Sequence, residues 1–227
     1  MKKLVVLLAA ALFMCCTFST ADAALLGVKG KLTYPDVQYD TIGHIQYSAV
    51  NHRFLLTAED RTITMSPSGP VWNLTDHAAG FVSSMRAEFV VDGNGKLMGT
   101  GIVTEKVEVG TVVLPWNTYH AGDILFTGEI YAFGWGEGGS KGTLGAFDLL
   151  IRNGSGKFIQ DGIWPDGAPM GMIADAENLH GWTGSWMYDF DLTKVKGDKA
   201  PVPEPATMLL AGAGLLGLAR LGRKFGK

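Results

Sequence analysis

Apolar and polar residues alternate in short runs along most of this chain. Met85-Arg86-Ala87-Glu88-Phe89-Val90-Val91 and residues 123–133 are the clearest cases, and a period of two marks a strand with one face turned inward. No window carries a sustained helical stripe. The pattern predicts strands at 26–34, 42–49, 53–57, 62–66, 84–92, 96–105, 124–133, 144–152, 157–160 and 185–192. Asp92-Gly93-Asn94-Gly95 and Asn153-Gly154-Ser155-Gly156 read as hairpin turns, because Gly and Asn tolerate the positive φ that tight turns demand. Residues 67–80 and 161–181, punctuated by Pro and Gly, read as long loops. Many short strands at this spacing predict an all-β single domain, either an antiparallel β-sandwich or a barrel.

Two segments break the alternation. Lys2 and Lys3 precede an apolar run at 4–13, and Ala21-Asp22-Ala23 offers the small residues a signal peptidase needs, so 1–23 reads as a cleaved signal peptide and the exported chain begins at Ala24. Near the other end, residues 206–219 are apolar apart from Thr207, and Leu221 adds to the stretch past Arg220. Those 14 residues would make a helix of about 21 Å, short against a hydrocarbon core of about 30 Å. Arg220 can snorkel, while Arg223, Lys224 and Lys227 fall on the cytoplasmic side by the positive-inside rule. The expected organisation is therefore a signal peptide at 1–23, a β-rich extracytoplasmic domain at 24–193, a polar linker at 194–201 and a membrane tail at 202–227, with its transmembrane helix at 206–221.

Composition narrows the chemistry. Both cysteines, Cys15 and Cys16, lie in the signal, which leaves the exported part without a thiol nucleophile, a thiolate metal site or a disulfide. Formal net charge is −3, yet residues 24–199 hold 13 Lys and Arg against 20 Asp and Glu. So acidic a domain disfavours nucleic acid, whose phosphates need a basic footprint. Gly134-Trp135-Gly136-Glu137-Gly138-Gly139 satisfies a dinucleotide pattern literally, but strands on both sides make it a Gly-rich connection. His44, His52, His77, His120 and His180 are scattered without metal-site spacing. Neither a serine-hydrolase elbow nor a calcium-loop pattern appears. No catalytic residue, metal ligand or cofactor is assigned.

Val202-Pro203-Glu204-Pro205, then a Gly/Ala/Leu-rich apolar run, then an Arg/Lys tail, resembles the PEP-CTERM sorting signal of Gram-negative bacteria. The resemblance implies that Pro203, Glu204 and Pro205 are recognised by exosortase, a membrane-embedded cysteine peptidase of organisms that make exopolysaccharide and biofilm. It also implies that the tail anchors the chain transiently and is then removed, leaving the domain at the envelope, the surface or the extracellular matrix. The same motif has carried an ice-binding label. A single Thr-x-Thr, at Thr62 and Thr64, is too little for the ranked threonines of an ice-binding sheet.

All six tryptophans fall between the two signals. Trp135, Trp164 and Trp182 stand beside Gly or Pro, and Trp182, Trp186 and Tyr188 would share one strand face. Exposed, these rings could stack on sugars; buried, they would plug the ends of a sandwich or barrel. Trp135, Trp164, Trp182 and Trp186 are thus the candidate glycan-binding residues. The expected function is a structural surface or exopolysaccharide-matrix protein without enzymatic activity, with a carbohydrate-binding module and a secreted hydrolase as alternatives.

Overall fold

The computed structural model describes residues 25–28, 32–66, 68–74, 80–137, 145–178 and 185–202. Its strands are β1 (Asp36–Ser48), β2 (Arg53–Ala58), β3 (Asp60–Thr64), β4 (Val71–Asn73), β5 (Val82–Val90), β6 (Gly101–Val109), β7 (Thr111–Val113), β8 (Thr118–His120), β9 (Ile124–Glu137), β10 (Gly145–Ser155), β11 (Met170–Asn178) and β12 (Phe190–Pro201). Eight of them, β1, β2, β5, β6, β9, β10, β11 and β12, follow one another around a closed antiparallel barrel, sealed where β12 pairs with β1 from Val37↔Lys199 to Tyr47↔Phe190. The remaining strands are accessories: β3 and β4 extend the sheet beside the first half of β1, and β7 pairs with β8. Of the two architectures the alternation allowed, the chain adopts the barrel, which removes the free edges a sandwich would keep.

The alternation explains the wall. In β5, Ser83, Met85, Ala87 and Phe89 point inward while Arg86 and Glu88 face water. Phe54, Leu56, Val103, Val107, Leu149, Met172 and Leu192 add to an interior filled by side chains, as a barrel of eight strands permits. The outer wall carries ion pairs: Arg53 with Glu88 at 2.5 Å, Lys106 with Glu108 at 3.0 Å and Arg152 with Glu129 at 2.5 Å. A wall facing lipid would be apolar outside and polar inside; this one is built the other way round. Among the described residues no helix is long and apolar enough to cross a membrane.

Aromatic plugs close both ends. Trp186 meets Tyr47 at 5.0 Å, Trp135 at 5.4 Å and Phe133 at 5.9 Å between ring centroids, edge to face. At the opposite end of β9, Trp164 meets Phe126 and Phe158, each at 5.0 Å, and its indole N–H donates to the Pro35 carbonyl at 3.0 Å. Phe158 comes from a one-turn helix, Lys157–Gln160. The Asp92–Gly95 turn forms as expected between β5 and β6, with the Gly95 N–H donating to the Asp92 carbonyl at 2.9 Å. Gly95 has φ +77°, and a Cβ there would lie 2.2 Å from the Trp186 indole nitrogen, so only glycine lets this turn lie on the plug.

Several expected boundaries are corrected. The linker expected at 194–201 is the second half of β12: Val195, Lys199 and Ala200 are buried while Lys194 and Lys196 face solvent. The loop expected at 161–181 contains β11, whose small residues Gly171, Ala174 and Ala176 hid a strand. Asn153–Gly156 is no hairpin turn, since β10 continues to Ser155, opposite Thr127, and 157–160 is helical instead of extended. Gly134-Trp135-Gly136 belongs to β9, not to a loop, and residues 138–144 lie outside the described residues. The described parts of 26–34 are not a strand but a strap over the barrel wall, and the strand expected at 185–192 begins only at Phe190.

Candidate functional site

The tryptophans divide between core and rim. Trp164 and Trp186 are buried, 0% and 2% exposed, so neither presents a sugar-stacking face, whether suggested by the proline beside Trp164 or by the strand face expected for Trp186. Trp135 is half-buried and packs on Trp186. Trp182 lies outside the described residues. Trp116 is half-buried; its indole N–H donates to Tyr119 Oη at 3.0 Å, and that hydroxyl donates to Asp161 at 2.8 Å. What the Trp186 end does expose is Tyr188, 68%, with Met187 and Val50. Beside them on the outer wall runs a groove of about 460 Å³, lined among others by Gln46, Asn51, Arg53, Leu55, Asp189 and Asp191. The Asp189 carboxylate fixes the groove's edge by accepting the Ala49 N–H at 2.6 Å. An exposed phenol beside amide, carboxylate and guanidinium groups can both stack on a sugar ring and bond its hydroxyls.

A second constellation lies inside the barrel. Lys199, near the end of β12, reaches across to Asp60 Oδ1 on β3 at 2.7 Å and to Glu105 Oε2 on β6, and all three side chains are buried. Ser83 on β5 donates its hydroxyl to Asp60 Oδ2 at 3.2 Å, while Glu105 Oε1 is buried without a hydrogen-bond partner. Burial and the neighbouring Asp60 charge push the Glu105 carboxyl well above its ordinary value, against the pull of Lys199. Burial draws the Lys199 amine down, but the two carboxylates outweigh it and hold the amine above its ordinary value. Lys199 thus bridges two buried acidic side chains, and burial disfavours the charged form of Glu105. Sequence reading missed it because its partners stand 139 and 94 positions apart. The one local signal was an inward lysine in a stretch that read as linker.

A third cluster sits on the outer wall of β10 and β11. Val28 and Val202 pack together on Ile173, with Leu26, Leu32 and Leu150 around them. Asp148 accepts the Val28 N–H at 3.1 Å and the backbone N–H groups of Gly27 and Leu26. Burial still pushes its carboxyl up. The Pro201 carbonyl accepts both the N–H and the hydroxyl of Thr33, at 3.0 and 2.7 Å, and the Val202 N–H donates to the Pro169 carbonyl at 2.9 Å. The first residues after the expected signal peptide and the last before Pro203 therefore meet in one patch. Ala21, Ala23, Pro203, Glu204, Pro205, Arg220, Arg223, Lys224 and Lys227 lie outside the described residues. Among the described residues no three His, Cys, Asp or Glu side chains converge as a metal set.

A PEP-CTERM protein-sorting motif matches residues 201–224. No curated protein and no solved structure matches the chain. The motif implies export, processing by exosortase and transient membrane anchoring on the way to the cell surface.

Proposed function

We propose that the chain is a structural, non-enzymatic protein of the bacterial surface or exopolysaccharide matrix, delivered by its sorting motif and held at the membrane by its tail until exosortase removes it. The observation that carries this reading is the coupling of a sorting motif at 201–224 to a barrel whose interior is filled by side chains and plugged at both ends. Such a barrel is a rigid scaffold whose available chemistry lies on its outside. Fractionation of the host tests it: the barrel should sediment with the exopolysaccharide and be released when that polymer is digested. A barrel free in the medium before and after digestion contradicts the matrix role.

A second reading, glycan binding, draws support from the groove beside Tyr188 and not from the tryptophans originally expected to carry it. Its test is calorimetric titration of the protein with host exopolysaccharide, in which Tyr188→Ala should weaken binding about tenfold, the worth of one stacked ring. Undiminished binding by a folded Tyr188→Ala variant would move the site elsewhere; failure of the unsubstituted protein to bind would remove the reading.

A further inference from the structure

The sorting motif and the fold overlap. The motif begins at Pro201, and Pro201 is the last residue of β12, paired with Met170 of β11. No spacer separates the barrel from Pro203-Glu204-Pro205.

We propose that the peptide bond hydrolysed in processing lies on the C-terminal side of Val202, and that a clasp between the two ends of the domain sets this limit. The proposal rests on reading the tail as a removable signal, and it places the cut that removes it. Hydrolysis adds water across one peptide bond, the hydroxyl going to the carbonyl carbon and the proton to the departing amine. A peptidase must therefore reach that carbonyl and the chain on either side of it.

Within 199–202 that access is closed. The Lys199 side chain is tied to Asp60 and Glu105 inside the barrel, Ala200 is fully buried, the Pro201 carbonyl is held twice by Thr33, and the Val202 N–H is held by Pro169. Cutting there requires β12 to peel from both neighbours and to leave the buried Asp60 and Glu105 without their cation. Local opening of a strand paired on both sides lies near the global end of the stability scale.

The clasp adds a second layer. Gly171 forms its floor, where a Cβ would lie 2.5 Å from a Val202 methyl, 2.6 Å from a Val28 methyl and 2.9 Å from a Leu32 methyl. Bare backbone at this one position lets the entering and leaving segments nest together on the wall. Because the N-terminal strap covers Val202, the strap freed by signal cleavage and the exit toward the sorting motif secure each other.

Intact-mass analysis of the protein recovered from its host is the test, on the natural sequence and on Gly171→Ala and Val28→Thr. Both substitutions leave the motif and the Lys199 pairs in place. The expected result is one C-terminus at or beyond Val202 for the natural chain, and ragged ends reaching upstream of Val202 in at least one variant. A natural C-terminus before Val202 overturns the proposal while leaving the removable tail intact. Ends identical to the natural one in both variants overturn the clasp's role. A chain recovered with its tail uncut overturns the removable-tail reading, and the proposal with it. Val28→Thr is the milder change, altering one methyl outside the barrel, and it keeps the comparison readable if Gly171→Ala misfolds.

Discussion

At the scale of single residues, the account turns on Lys199. Replacing it with Met leaves Asp60 and Glu105 facing one another in a dry interior, and breaking such a buried pair from one side costs about 3–5 kcal/mol. Urea denaturation should show Lys199→Met destabilised by that order, whereas Glu105→Gln, which preserves the shape of a protonated carboxyl and its donor, should stay within about 1 kcal/mol of the natural protein. Equal losses in the two variants would mean that Glu105 is ionised. Asp36 gives a pH test. Burial first, then the Asp198 charge, pushes its carboxyl up to about 6 from an ordinary 3.8, so the folded chain binds that proton more tightly than the unfolded chain does. Its contribution to stability is full below the unfolded value and is lost as pH rises through the folded one. Glu105 and Asp148, also raised, act in the same direction. Melting temperature should fall from about pH 4 to about pH 7, and Asp36→Asn should flatten part of the fall. A slope unchanged in Asp36→Asn would contradict the assignment.

At the scale of elements, alternation made β1, β2, β5, β6, β9 and β10 legible, because their inward positions are large and apolar and their outward ones charged. Strands β11 and β12 were hidden for one physical reason. In β11 and β12 small residues, Gly171, Ala174, Ala176 and Gly197, stand where bulky residues would announce a strand, and the inward Lys199 is neutralised from strands elsewhere in the chain. Tryptophans present the mirror case. Trp164 sits beside a proline and read as surface, yet the helix carrying Phe158 folds it into the barrel mouth. Trp164→Ala should cost about 3–5 kcal/mol in thermal or chemical unfolding, while exposed Tyr188→Ala should change stability by less than about 0.5 kcal/mol. A Trp164 variant as stable as the natural protein would deny it the role of plug. The sorting motif was readable because it is linear; the triad, the clasp and the groove depend on pairings across the barrel that no local pattern encodes.

At the scale of the whole molecule, a charged outer wall, a filled interior and two plugged mouths fit the proposed role of a scaffold delivered to the surface. Its address is carried by the 24 residues matched at 201–224, which begin inside the last strand. The most direct measurement compares cells making the natural chain with cells making a Pro203→Ala, Glu204→Ala, Pro205→Ala variant, scoring the barrel in the inner-membrane fraction and at the cell surface. The barrel itself is untouched by these changes. The natural chain should leave the inner membrane and reach the surface, while the variant accumulates uncut in the inner membrane; equal distributions would contradict delivery by the motif.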